Sequence, residues 1–131
     1  MTRRELIDHC LTYPAAFEDC PFDDEWTLMR YGANRKAFAC VFRSGGRDFV
    51  SLRCDPDKSY FLRILFRDVQ PAPNIDERLW NTVSLGGDVP DADLLEMVAH
   101  SFAIIKPKNG RTRKKSALRA AQPVNVGPLS P

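Results

Sequence analysis

Apolar residues recur along this chain with two different periods. Leu6, Ile7, Cys10 and Leu11 fall on one stripe of a helix. Thr2 followed three residues later by Glu5 fits a capping box, in which hydroxyl and carboxylate each satisfy a backbone N–H at the helix start. Pro14 ends that helix. Residues 15–25 show neither period and read as a loop. Residues 26–31 then alternate, as do 37–42, with Phe38, Cys40 and Phe42 on one side. Residues 49–54 follow, with Val50, Leu52 and Cys54 on one side and Arg53 on the other. The short turns between them, Gly32 to Asn34 and Ser44 to Gly46, make the three strands an antiparallel meander.

Asp55 and Pro56 start a second helix, as N-cap and first helical position, with Phe61, Leu62 and Leu65 as a short apolar face. From residue 66 to 79 regularity is lost, and Pro71 and Pro73 disfavour both helix and central strand. A connection this long points to function or to adaptation to a surface. Residues 78–105 then organise the rest. Trp80, Thr82 and Ser84 alternate with Asn81, Val83 and Leu85, and Gly86 and Gly87 break the strand. Pro90 fits the first turn of a helix, and Asp91 and Asp93 complement its positive end. Leu94, Val98, Phe102 and Ile105, widened by Leu95 and Met97, give it a broad apolar face. The order is helix, three strands, helix, strand, helix. An α+β domain of two layers, an antiparallel sheet packed against helices, is the natural packing.

Charge divides the chain. The 131 residues fit one domain and carry a net charge of +2, yet from Lys106 onward there are seven basic residues and no acid. The remaining body holds 12 basic residues against 17 acidic ones. We expect a folded domain over residues 1–106 and a basic, flexible tail over 107–131, too poor in large apolar side chains to pack alone. No apolar run approaches the roughly 20 residues of a membrane span, and the N-terminus lacks an apolar signal core. A cytoplasmic protein without membrane contact is expected. Cys10, Cys20, Cys40 and Cys54 lack zinc-ligand spacing and read as reduced, mostly buried thiols. With His9 and His100 inside helices and no acid–base set in sight, the expectation is a protein that is not an enzyme and needs no metal or cofactor.

Three runs carry a wider pattern: ELIDHCLTYPAAFEDCPF, VSLRCDPDKSYFLR and LWNTVSLGGDVPDADLLEMVAHSF. Together they resemble the MmcQ/YjbR family over about residues 5–106, through an early proline and acidic-Pro-Phe run, a Cys-Asp-Pro helix start, a Trp-x-Thr-Val strand and the pair Ser101 and Phe102. The resemblance implies a CyaY-like fold and a double-wing DNA-binding label. Where many members carry a YHMNK-like run, this chain reads Pro73, Asn74, Ile75, Asp76, Glu77, without the aromatic, the histidine or the lysine.

Two functional expectations follow. In the first, the protein binds DNA weakly and through the backbone. Arg30, Arg35 and Lys36 flank one hairpin turn and Arg43 and Arg47 the next; tips pointing the same way would set two basic fingers against phosphates. Arg111, Arg113, Lys114 and Lys115 in the tail would add a basic cluster. In the second, the chain is a non-enzymatic protein- or small-ligand-binding module that uses the sheet face and the 66–79 segment, with Trp80 lining a pocket or sitting in the core. Glu18, Asp19, Asp23, Asp24 and Glu25 crowd carboxylates that need solvent, a cation or a basic partner; a solvated acidic surface is the expectation.

Overall fold

The first helix forms as its cap residues dictate: the Thr2 hydroxyl accepts from the Glu5 N–H and the Glu5 carboxylate from the Thr2 N–H, which opens α1 (Arg3–Cys10). The structure, a computed structural model, describes residues 1–21, 25–72, 76 and 79–107. After α1 come β1 (Ala16–Asp19), β2 (Trp26–Tyr31), β3 (Ala37–Ser44), β4 (Arg47–Arg53), α2 (Pro56–Leu65), β5 (Val69–Pro71), β6 (Trp80–Ser84) and α3 (Asp91–Ile105). The strands form one antiparallel sheet in the order β1-β2-β3-β4-β6-β5, which makes the α+β architecture.

Two strands lie where the sequence reads as irregular, and both are edges. β1 has no alternating period because its outer residues are carboxylates that find arginines: Glu18 meets Arg4 at 3.4 Å and Asp19 meets Arg30 at 2.8 Å. β5 is three residues long and ends on Pro71, which an edge strand tolerates because it needs no inward N–H there. Pairing β5 outside β6 leaves β6 beside β4, so the 66–79 connection folds its first part back as the sheet margin.

A bulge decides which side chains enter the core. Met29 faces Ala39 and Arg30 faces Ala37, so Phe38 has no opposite residue. The sequence places Phe38, Cys40 and Phe42 on one face. The extra residue separates them: Phe38 is fully buried against Phe102 (5.1 Å between ring centres) and Tyr13 (5.9 Å). Cys40 and Phe42 lie in the rows of the opposite face. Met29, Ala39, Val41, Val50, Leu52 and Val83 join Leu6, Ile7 and Cys10 of α1, Leu62 of α2 and Leu94, Val98 and Phe102 of α3 in one core, so all three helices pack on a single face. The register on the second face sets Trp26, Phe42, Phe49 and Ser84 in one row and Leu28, Cys40, Ser51, Thr82 and Gln70 in the next. Trp26 stacks on Phe42 at 4.6 Å and Phe42 on Phe49 at 5.4 Å.

The apolar face expected for α2 is turned outward. Leu62 is buried, but Phe61 and Leu65 are exposed along with Tyr60 and Ile64. Inward, Leu62 joins the apolar core while Ser59 and Arg63 meet the Asn81 amide of β6. Pro90 serves as the N-cap of α3 rather than inside its first turn, with no side-chain bond, while Asp91 and Asp93 occupy the first turn. Among the described residues, no helix is long and apolar enough to cross a membrane.

Candidate functional site

Alternation along β4 and β6 brings Phe49, Thr82 and Ser84 to the second face, and Gln70 of β5 lies opposite Thr82. With Arg47, Asp68 and Pro71 they line a cleft of about 180 Å³ at the β4–β6–β5 margin. That exceeds the roughly 10–15 Å³ needed by a single water and falls below the roughly 300 Å³ at which drug-sized pockets begin. Arg47 opens β4, donates from Nη2 to Ser84 Oγ at 2.7 Å and sets its guanidinium carbon 5.8 Å from the Phe49 ring centre. Thr82 and Ser51 hydroxyls bond at 2.8 Å on the floor.

Asp68 is held by a reciprocal lock. Its Oδ2 accepts from the Asp88 N–H at 2.7 Å, and the Asp88 carboxylate accepts from the N–H groups of Asp68 at 2.9 Å and Arg67 at 2.8 Å. Burial alone would raise the Asp88 pKa, but the backbone donors of Asp68 and Arg67 outweigh it and lower the value. Gly87 is required in this turn, since any Cβ there would collide with the Asp68 carboxylate.

On the helix side, a crevice of about 10 Å³ lies between α2, α3 and the sheet, with Lys58, Asn81, Met97 and His100 among its walls. Arg63 Nε and Ser59 Oγ donate to Asn81 Oδ1 at 2.7 and 2.9 Å, which fixes the amide and leaves a buried Nδ2 without a partner among the described residues. The Asp55 N–H donates to His100 Nε2 at 3.1 Å, and burial, then Lys58, hold the imidazole pKa below 6.5. The buried thiols of Cys10 and Cys40 are pushed up to about 12 and about 11 by desolvation, so they are poor nucleophiles.

The two hairpin tips do not meet. β3 starts at one turn and ends at the other, so successive turns of this meander sit at opposite ends of the sheet, about 24 Å apart along the strand. The tip arginines are also engaged. Arg30 pairs with Asp19 and donates to the Arg35 carbonyl at 2.8 Å; Arg43 pairs with Asp48 at 3.2 Å and donates to the Gly46 carbonyl. Arg35, in the left-handed region with φ 60°, lies 5.2 Å over Phe17, and Lys36 is exposed beside it. Trp80 lies on the second face with Thr82 and Ser84, is buried under the Arg53 guanidinium at 4.6 Å, and is not among the residues lining either cleft. Burial lowers the pKa of Arg53, whose Nε donates to the Ala37 carbonyl.

Of the residues expected by name, Arg47 reaches the cleft, and the 66–79 segment expected to serve a ligand contributes Asp68, Gln70 and Pro71. Phe49, Thr82 and Ser84 are cleft residues that the sequence does not mark individually; the polar pair Thr82 and Ser84 within a strand is the signal that points to them. Glu18 and Asp19 pair with arginines, and among the described residues no cluster of three or more metal-ligating side chains occurs. Asp23, Asp24, Arg111, Arg113, Lys114, Lys115 and most of the 73–77 departure lie outside the described residues. Asn34 Nδ2 donates to the Ile105 carbonyl at 2.8 Å, so α3 ends beside the Arg35 and Lys36 turn.

Comparison with known proteins gives a consistent family. The YjbR family model matches residues 11–104. The uncharacterized protein YjbR of Escherichia coli K12 is 29% identical over 102 residues, covering 78% of this chain and 85% of the relative. The uncharacterized protein YbdF of Escherichia coli O157:H7 is 24% identical over 85 residues, covering 65% and 68%. A Pseudomonas syringae crystal structure shares the fold with a TM-score of 0.72 at 21% identity, over 81% of this chain and all of that one (100%). A Deinococcus radiodurans protein with a DUF419 domain gives a TM-score of 0.72 at 28% identity, over 79% and 78%.

Proposed function

The chain belongs to the YjbR family, and from that premise we propose that it is a non-enzymatic module that binds a small ligand on the second sheet face. The observation that carries this reading is the 180 Å³ cleft with a positioned cation, an aromatic wall and hydroxyls along one side. Sites of this kind combine a few convergent polar groups with apolar walls. The Arg47 guanidinium is held before any ligand arrives, which lowers the ordering cost of binding. The test is amide NMR of the full chain against a panel of small carboxylates, phosphates and amino compounds. Shifts should cluster at Arg47, Phe49, Gln70, Thr82 and Ser84, and those caused by carboxylates and phosphates should vanish in Arg47→Gln. A panel that moves none of these signals overturns the reading.

Weak DNA binding is the second reading. It is favoured by the bond from Asn34 to Ile105, which starts the basic tail next to Arg35 and Lys36. In this form the contact comes from one end of the sheet and the tail, with Arg43 and Arg47 at the other end left out.

A further inference from the structure

The cleft is lined by charges of both signs, Arg47 and Asp68, and we propose that its ligand is a free α-amino acid with an apolar or aromatic side chain. This rests on the small-ligand reading of the same cleft. Arg47 comes from the start of β4 and Asp68 from the residue before β5; both line the cleft, and the ion pairs among the described residues do not join them. Ser84 ties the two walls together. Its hydroxyl accepts from Arg47 at 2.7 Å, and its backbone N–H donates to the Asp68 carbonyl at 3.4 Å. The guanidinium has five N–H donors and gives one to Ser84, which leaves its fork for a carboxylate. Asp68 Oδ2 accepts from the Asp88 N–H, and the Asp68 and Asp88 carboxyl groups lie within side-chain reach of each other, so this wall is acidic and suits an ammonium. A ligand with only one charge would engage one wall and leave the other, which is open to solvent, to water. A zwitterion satisfies both walls at once.

Size and surface narrow the class. A 180 Å³ cleft is too small for a nucleotide and suits a metabolite of about ten heavy atoms. Phe49 and Pro71 offer apolar surface for the side chain of that metabolite.

The experiment uses the full chain and NMR titration with four probes: L-phenylalanine, L-leucine, N-acetyl-L-phenylalanine and L-phenylalanine amide. The free amino acids should shift Arg47, Thr82, Ser84 and Gln70. Each capped probe should bind about tenfold or more weaker, the scale of one lost charge-assisted bond. Asp68→Asn keeps an oxygen for the Asp88 N–H; it should weaken L-phenylalanine and leave N-acetyl-L-phenylalanine unchanged. Arg47→Gln should weaken L-phenylalanine and leave the amide unchanged. Arg43→Gln, a charge change outside the cleft, should alter none of these. Equal binding of free and capped probes overturns the zwitterion while the small-ligand reading stands. If none of the four moves the cleft, the amino-acid class is overturned. The wider panel of carboxylates and phosphates then decides the small-ligand reading by itself.

Discussion

Ser101 sits fully buried in α3 and closes a gap that Phe38 opens. The bulge that sends the Phe38 ring into the core also takes its carbonyl out of the β2–β3 ladder. The Ser101 hydroxyl donates to that carbonyl and accepts from the Arg53 N–H at 2.9 Å, so one side chain ties α3 to β3 and β4. Ser101→Ala leaves a buried acceptor and a backbone donor without partners. We expect a loss of about 1–3 kcal/mol, the penalty of unsatisfied buried groups. Urea unfolding checks it: the midpoint should fall with the m-value unchanged. The sequence marks Ser101 and Phe102 as a pair, but not the reason for the serine. Its acceptor exists only once the register shift between β2 and β3 has formed and α3 has packed on them.

At the scale of elements, the local signals that depend on backbone chemistry survive folding, and those that depend on a neighbour do not. The capping box at Thr2 and the Asp55 and Pro56 helix start are visible in the residues and present in the structure. The orientation of α2 is not visible, because it is set by what β6 presents. Asn81 draws Ser59 and Arg63 inward, and Phe61 and Leu65 turn to solvent. The edge strands β1 and β5 escape a periodicity reading because an edge buries too little to impose alternation. This orientation has a measurable consequence. Leu62 is 8% exposed and Ile64 72% exposed on the same helix. Leu62→Ala should cost about 2–5 kcal/mol as a core truncation, and Ile64→Ala should stay within about 0.5 kcal/mol as a surface change. Equal thermal shifts in the two variants would contradict the outward turn of α2.

For the whole molecule, antiparallel topology overrides the arrangement of basic residues along the sequence. Arg30, Arg35 and Lys36 stand close in sequence to Arg43 and Arg47, yet β3 separates the two groups by its full length. A single basic surface from both turns is therefore excluded by connectivity, and the body around them carries more acid than base. Under the DNA-binding proposal, the contact is expected from the tail together with the end of the sheet where Ile105 meets Asn34. Counterion release makes this quantitative. Each phosphate neutralised on duplex DNA contributes about −0.9 to the slope of log affinity against log salt. Neutralising Arg111, Arg113, Lys114 and Lys115 to Gln in the full chain should flatten that slope by about 3 to 4 if all four contact phosphate. Neutralising Arg43 and Arg47 should leave it unchanged. Fluorescence anisotropy with a labelled duplex from low to moderate salt measures both. A slope that responds to Arg43 and Arg47 and ignores the tail would place the contact on the second turn, against the charge balance of the body. A slope that responds only to the tail assigns the polyanion contact there and leaves the cleft at Arg47 free for a different ligand.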